Sequence, residues 1–207
     1  MEDRWLTRAK RLHAVAATGL HFSTDAFDRE RYSEIAELAE AMLAELADVP
    51  IVRIAGLVSD RATGYATPKI DVRGALIENG RVLLVREQSD GLWTLPGGFA
   101  DIGHSAAENV VKEMREEAGL DVSATRLYCV RHKAKHAYSP DVRDFYKLFF
   151  LCERRGDMAF TASSEISEAG FFPPGQLPPL SRGRVIEGDI LAAFALHADP
   201  ALPTVFD

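Results

Sequence analysis

The sequence predicts an α/β protein of the α+β kind: a mixed sheet with helices against it, preceded by a small helical domain. Three observations carry this. Apolar residues recur at helical spacing through the first 47 positions, and beyond residue 69 the period shortens to that of strands. An Asn79-Gly80 pair, a strong signal for a tight hairpin, separates two of those strand-like runs.

Trp5, Ala9, Leu12 and Ala16 are spaced by four, three and four and predict a helix over residues 3–18. Phe27, Ile35, Leu38, Met42, Leu43 and Leu46 predict a second over 26–47, with Asp25 or Thr24 as its cap and Asp48-Val49-Pro50 as its stop. Two helices cannot bury both of their apolar faces against each other. They must pack on the rest of the chain or on a second copy, and a homodimer is expected. The turn-prone stretch "SDRATGYATPK" (59–69) marks a boundary, giving a helical domain at 1–62 and a second domain at 63–207. Strands follow at 70–77 and 81–87, then a helix at 105–118. Strand-like runs at 125–135 and 144–153 flank a polar loop, and a short strand (169–173) and a helix (183–198) follow.

With 207 residues, 47% hydrophobic and 27% charged, the composition is that of a globular chain. No run of about 18 apolar residues predicts a membrane span, and the first residues lack the apolar core of a signal peptide. Cys129 and Cys152 have neither metal-ligand nor disulfide spacing and read as reduced core residues, so a cytoplasmic setting is expected. A net charge of −7 argues against general nucleic-acid binding but leaves small anionic substrates open.

The helix at 105–118 is the most informative element. Ser105 and Glu108 form a capping box and Gly119 supplies a left-handed terminus. Ala107, Val110, Val111, Met114 and Ala118 make the core stripe, while Glu113, Glu116 and Glu117 share a second face. Like charges at this spacing cost roughly 0.2–0.5 kcal/mol per pair. The helix C-terminus also favours cations by about 0.3–1 kcal/mol, so these acids sit at the wrong pole. Either the face is merely solvated or it holds a cation, and a tight all-oxygen set suits Mg²⁺ or Mn²⁺.

The preceding glycines tilt the choice. "GGFADIGHSAAENVVKEMREEAGL" (97–120) resembles the Nudix box of the Nudix hydrolases, a 23-residue pattern G-x5-E-x7-R-E-U-x-E-E-x-G-U with U bulky and apolar. Gly98, Glu113, Met114, Glu116, Glu117, Gly119 and Leu120 match in register; His104 and Lys112 stand where the pattern has Glu and Arg. The likeness covers about 65–195 well and the N-terminal helices loosely, and it is closest to a branch that carries such helices and shares these departures.

The resemblance implies an α/β/α sandwich and hydrolysis of a phosphoanhydride with Mg²⁺ or Mn²⁺. Glu113 and Glu117 would be metal ligands, Glu116 a ligand or the general base, and the Gly97 or Gly98 carbonyl a further oxygen. A carboxylate outside the box often contributes, and Glu165 fits better than Glu168, although either reads equally as a solvated loop acid. Lys133 and His136, in a basic cluster with His132 and Lys135, are candidate phosphate or ribose contacts or a solvated loop. His132 and His136 lie in strand and loop, so their spacing is not that of a helical metal pair. Arg73 faces substrate or pairs with an acid in the sheet, and Trp93 packs or stacks on a base.

The leading expectation is a metal-dependent pyrophosphohydrolase of nucleoside diphosphates linked to another moiety, ADP-ribose first and a CDP-alcohol such as CDP-choline second. A sanitising nucleoside triphosphate hydrolase is the alternative enzyme. A nucleotide-sensing module with a retired box is the non-enzyme alternative, which the intact Glu113, Glu116 and Glu117 disfavour.

Overall fold

The computed structural model describes residues 3–47, 65–157 and 165–207. The chain divides into two units, Met1–Lys69 with Ala134–Phe145, and Ile70–Lys133 with Tyr146–Asp207. The expected helix stop at 48–50 and the 62/63 domain boundary lie outside the described residues.

In the first unit, α1 (Arg4–Phe22) and α2 (Ala26–Ala47) pack together. Asp3 caps α1, its carboxylate accepting the Trp5 N–H at 2.8 Å, and Asp25 rather than Thr24 caps α2 through the Asp28 N–H at 3.0 Å. Buried Ala9, Ala16 and Ala39 line these helices, and Gly19 lies directly against the Tyr32 ring, where a side chain would collide. The polar loop of the sequence reading also belongs here. Val142 joins Leu6, Ala9 and Leu43 in one apolar cluster. Lys10 donates to the Arg143 carbonyl at 3.2 Å and pairs with Asp144 at 3.3 Å. Trp5, Phe22, Phe27 and Leu38 stay more than half exposed, so the helices present apolar surface that this unit does not cover.

The second unit is built on a mixed sheet. Its strands are β1 (Lys69–Glu78), β2 (Arg81–Glu87), β3 (Trp93–Thr94), β4 (Leu120–His132), β5 (Phe145–Asp157), β6 (Ile166–Phe172) and β7 (Val205–Phe206). Their order is β3-β2-β1-β5-β4-β7, with β6 on β2. Asn79 and Gly80 close the β1–β2 hairpin with φ of 49° and 72°, the primed turn that matches strand twist. Arg154 holds Glu78, and Lys147 holds Asp71, with the same offset of 76 residues, so β1 and β5 run side by side in one direction.

Two apolar layers sandwich the sheet. Helix α3 (Ala106–Ala118) buries Val110 and Met114 against Val72, Leu76, Leu83 and Val85. Helix α4 (Glu187–Ala198) buries Ile190, Ala193 and Leu196 against Ala75, Val82, Leu84, Tyr128 and Phe149. Both capping-box bonds of α3 are present, at 2.7 and 3.2 Å, and Gly119 ends it at φ 64°. No helix among the described residues is long and apolar enough to cross a membrane.

Candidate active site

The turn Pro96-Gly97-Gly98 is stitched to β1. Gly74 donates its N–H to the Pro96 carbonyl and Val72 to the Gly98 carbonyl, both at 2.9 Å. Gly97 takes φ 143°, where a Cβ would run into the Val72 carbonyl and Arg73, so only glycine fits. At Gly98 a Cβ would come within 3.0 Å of a Glu113 oxygen, which measures how closely α3 approaches the turn.

Glu113 and Glu117, one helical turn apart, face this turn together. Glu117 is 8% exposed and accepts the Gly97 N–H at 2.7 Å. Burial pushes its carboxyl up to about 8; Glu113 and Glu87 add to the rise, while Arg73 and the Gly97 N–H oppose it. Burial also raises the Glu113 carboxyl, chiefly against Lys112 and Arg73. Glu113 makes no hydrogen bond among the described residues, and the Gly97 carbonyl likewise accepts none. Glu116 departs from the expected shared face. Consecutive helical residues diverge by about 100°, and Glu116 is exposed, with Lys112 at 3.6 Å.

The other candidates separate. Arg73 does not face solvent: it is 4% exposed and pairs with an acid in the sheet, its fork gripping Asp71 at 2.8 and 3.1 Å. It is electrostatically coupled to Glu117 and Glu87 from that position. Glu165 lines an open cavity of about 410 Å³ with Glu87, Gln88, Ser89 and Arg184. Lys133 is buried at the end of β4, and His136 lies in the first unit, edge-on to Tyr138 at 6.4 Å. Trp93 packs edge-on against Phe172 at 4.7 Å.

Glu87 was not singled out in the sequence. It is 7% exposed at the end of β2, held by Arg184 at 2.9 Å, and couples to both Glu117 and Glu165. Burial raises its carboxyl, against Arg184 and Arg73. The available signal was its place in "RVLLVRE", where period-two alternation puts it in register with Leu83 and Val85, both inward-facing.

Residues 3–58 match a domain described as UDP-X-like, N-terminal oligomerisation domain, and residues 68–194 match the NUDIX domain. The chain belongs to the Nudix hydrolase family. It is 42% identical over 207 residues to a putative ADP-ribose pyrophosphatase of Bacillus subtilis, covering 100% of this chain and 99% of that one. Among solved structures, a UDP-X diphosphatase is 32% identical with a TM-score of 0.64, covering 98% of both chains. An ADP-ribose pyrophosphatase of Streptococcus suis is 40% identical with a TM-score of 0.62, covering 68% of this chain and all of that one. The protein is a Nudix pyrophosphohydrolase.

Nudix hydrolases generally use divalent metal ions. Among the described residues no three carboxylate, imidazole or thiol groups are already gathered tightly enough to cage an ion. The donors nevertheless suit one. Glu113 and the Gly97 carbonyl are uncommitted hard oxygens, and Glu117 is a buried acid with raised proton affinity. Crowded carboxylates of this kind are stabilised by a cation in place of a proton. The Gly98 carbonyl is already taken by Val72, which leaves Gly97 as the backbone donor of the pair. At the divergent box position, Lys112 bridges Asp101 at 2.8 Å and Glu116, so a point charge takes the place of a guanidinium fork.

Proposed function

We propose that this Nudix hydrolase cleaves the pyrophosphate bond of nucleoside diphosphates linked to a second organic group, giving a nucleoside monophosphate and a phosphorylated remainder. One observation carries the choice of a diphosphate. Arg73, Lys112 and Arg184, the cations drawn to the box carboxylates and Glu87, are each already paired with an acid. Cations committed to the protein's own acids offer little to the extra charge of a triphosphate. A diphosphate flanked by two organic groups carries less charge and draws binding energy from both ends. The full-length likeness to a putative ADP-ribose pyrophosphatase and to a UDP-X diphosphatase supports the same class. ADP-ribose is the first substrate, with UDP-linked and CDP-linked compounds next.

Glu113, Glu117 and the Gly97 carbonyl would hold Mg²⁺ or Mn²⁺, with Glu116 at the exposed edge of the set. The ion supplies charge neutralisation at the diphosphate and acidifies water. Glu165, on the cavity next to Glu87, would take the proton of the attacking water. The new P–O bond forms as the bridging P–O bond breaks, and the leaving phosphate oxygen departs with the electron pair. Arg73, buried and paired with Asp71, acts on Glu117 through its charge rather than on substrate. The two N-terminal helices assemble the enzyme as a homodimer. The test is the product mass from ADP-ribose with Mg²⁺ or Mn²⁺: AMP and ribose 5-phosphate are expected, whereas ADP plus free ribose would exclude cleavage of the pyrophosphate bridge.

A further inference from the structure

Beneath the carboxylates lies an ion cluster that no part of the Nudix box contains. Asp71 and Arg73 on β1 and Lys147 on β5 are 6%, 4% and 2% exposed. One Asp71 oxygen accepts Arg73 Nε at 3.1 Å and Lys147 Nζ at 2.6 Å; the other accepts the second arm of the Arg73 fork at 2.8 Å. The remaining Arg73 nitrogen donates to the Leu95 carbonyl at 3.1 Å, one residue before the Pro96-Gly97-Gly98 turn. Two buried cations share one anion, so the cluster carries a net positive charge.

A buried Asp–Arg pair alone would be neutral. Adding a second buried cation is costly unless another anion answers it. The groups that answer it once ionised, as they would be when holding a cation, are Glu117 and Glu87, to which Arg73 is electrostatically coupled. Burial pulls the Lys147 ammonium down to about 8, with Arg73 and the neighbouring Lys133 assisting, but Asp71 opposes the fall. Burial would likewise raise the Asp71 carboxyl, yet Arg73 and Lys147 together hold it below the usual range. The three groups are therefore all charged near neutral pH.

We propose that Lys147 is a positioning residue for the reaction: by balancing Asp71 it leaves the Arg73 charge for Glu117 and Glu87. The proposal rests on the reading of those carboxylates as the divalent-ion site. With Lys147 in place, the trio of Asp71, Arg73 and Lys147 is singly positive, which limits how negative the empty carboxylate set becomes. Without it, Asp71 and Arg73 close into a neutral pair and the site turns more negative.

The test is Mn²⁺ titration of the full-length protein, followed by water-proton relaxation. Lys147→Met removes the charge and keeps most of the stem volume. It should bind Mn²⁺ more tightly, with half-saturation lowered by about 3-fold or more. Lys147→Arg keeps the charge and should return half-saturation to within about 2-fold of the parent. Asp71→Asn combined with Lys147→Met leaves the trio singly positive and should do the same. Weaker Mn²⁺ binding in Lys147→Met, or a double variant displaced as far as the single one, would overturn the proposal and leave Lys147 a packing residue. If Lys147→Met does not fold, the double variant decides alone: folded with the parent's half-saturation it supports the charge balance, and otherwise it refutes it. A parent protein that binds no Mn²⁺ would instead remove the reading of the site itself.

Discussion

Glu117 accepts the backbone N–H of Gly97 at 2.7 Å, tying the last turn of α3 to a loop 20 residues earlier in the chain. This bond places a buried carboxylate beside Glu113, against the preference of a helix C-terminus for positive charge. The placement weakens the helix, a cost that fits a role for these acids in the proposed site.

Replacing Glu117 by Gln should therefore separate function from stability. The Gln carbonyl can still accept from Gly97, so the loop is retained. Turnover should fall by about 100-fold or more, as expected on losing an anionic ion ligand. Melting temperature without metal should hold or rise at pH 8–9. Near-parental activity at saturating Mg²⁺ would contradict the ligand role.

Stability without metal should depend on pH through the same residue. The folded Glu117 carboxyl is raised from an ordinary 4.5 to about 8. A raised folded value means that its favourable contribution is complete below about 4.5 and is lost as pH climbs through about 8. Thermal melts in EDTA should show a falling midpoint between pH 5 and 9, flatter in Glu117→Gln and flatter with saturating Mg²⁺. A midpoint that rises over this range in EDTA would be the wrong sign.

Gly97→Ala should damage both fold and activity. The backbone there has φ 143°, and the new methyl group meets the Val72 carbonyl and Arg73, both fixed in β1. A loss of about 1–3 kcal/mol is expected from such a strained position, with activity reduced further because Glu117 loses its anchor. Chemical denaturation and initial rates measure the two effects.

What could be read in the sequence and what could not divides by distance along the chain. The Ser105–Glu108 box, the Asn79-Gly80 turn and the Gly119 terminus were legible because each is settled within four residues. The register of Glu113 and Glu117 followed from helix geometry, and only the outward turn of Glu116 toward Lys112 needed coordinates. The Asp71–Lys147 pair spans 76 residues and depends on β1 lying beside β5, which no local pattern specifies. The packing of the loop at 134–145 was not legible, because nothing local shows that Val142 packs on Leu6 and Leu43. Glu87 was hidden as one acid at a strand end.

Assembly is testable through the exposed face of the helices. Trp5, Phe22, Phe27 and Leu38 are 58%, 66%, 70% and 60% exposed, more large apolar surface than a lone unit normally leaves in water. Light scattering at micromolar concentration should give twice the mass of one chain. Phe27→Asp with Leu38→Asp should shift it to a monomer while Val142 keeps its contacts. A parent protein that runs as a monomer would contradict the homodimer.

The central claim is the choice of a diphosphate flanked by two groups, and the ratio of kcat/KM values tests it most directly. ADP-ribose, UDP-linked sugars, CDP-choline and the common nucleoside triphosphates should be compared under one set of conditions with Mg²⁺. The best diphosphate derivative should exceed every triphosphate by about 10-fold or more, roughly 1.4 kcal/mol of differential transition-state binding. A triphosphate turned over faster than every diphosphate derivative, with release of pyrophosphate, would contradict the account.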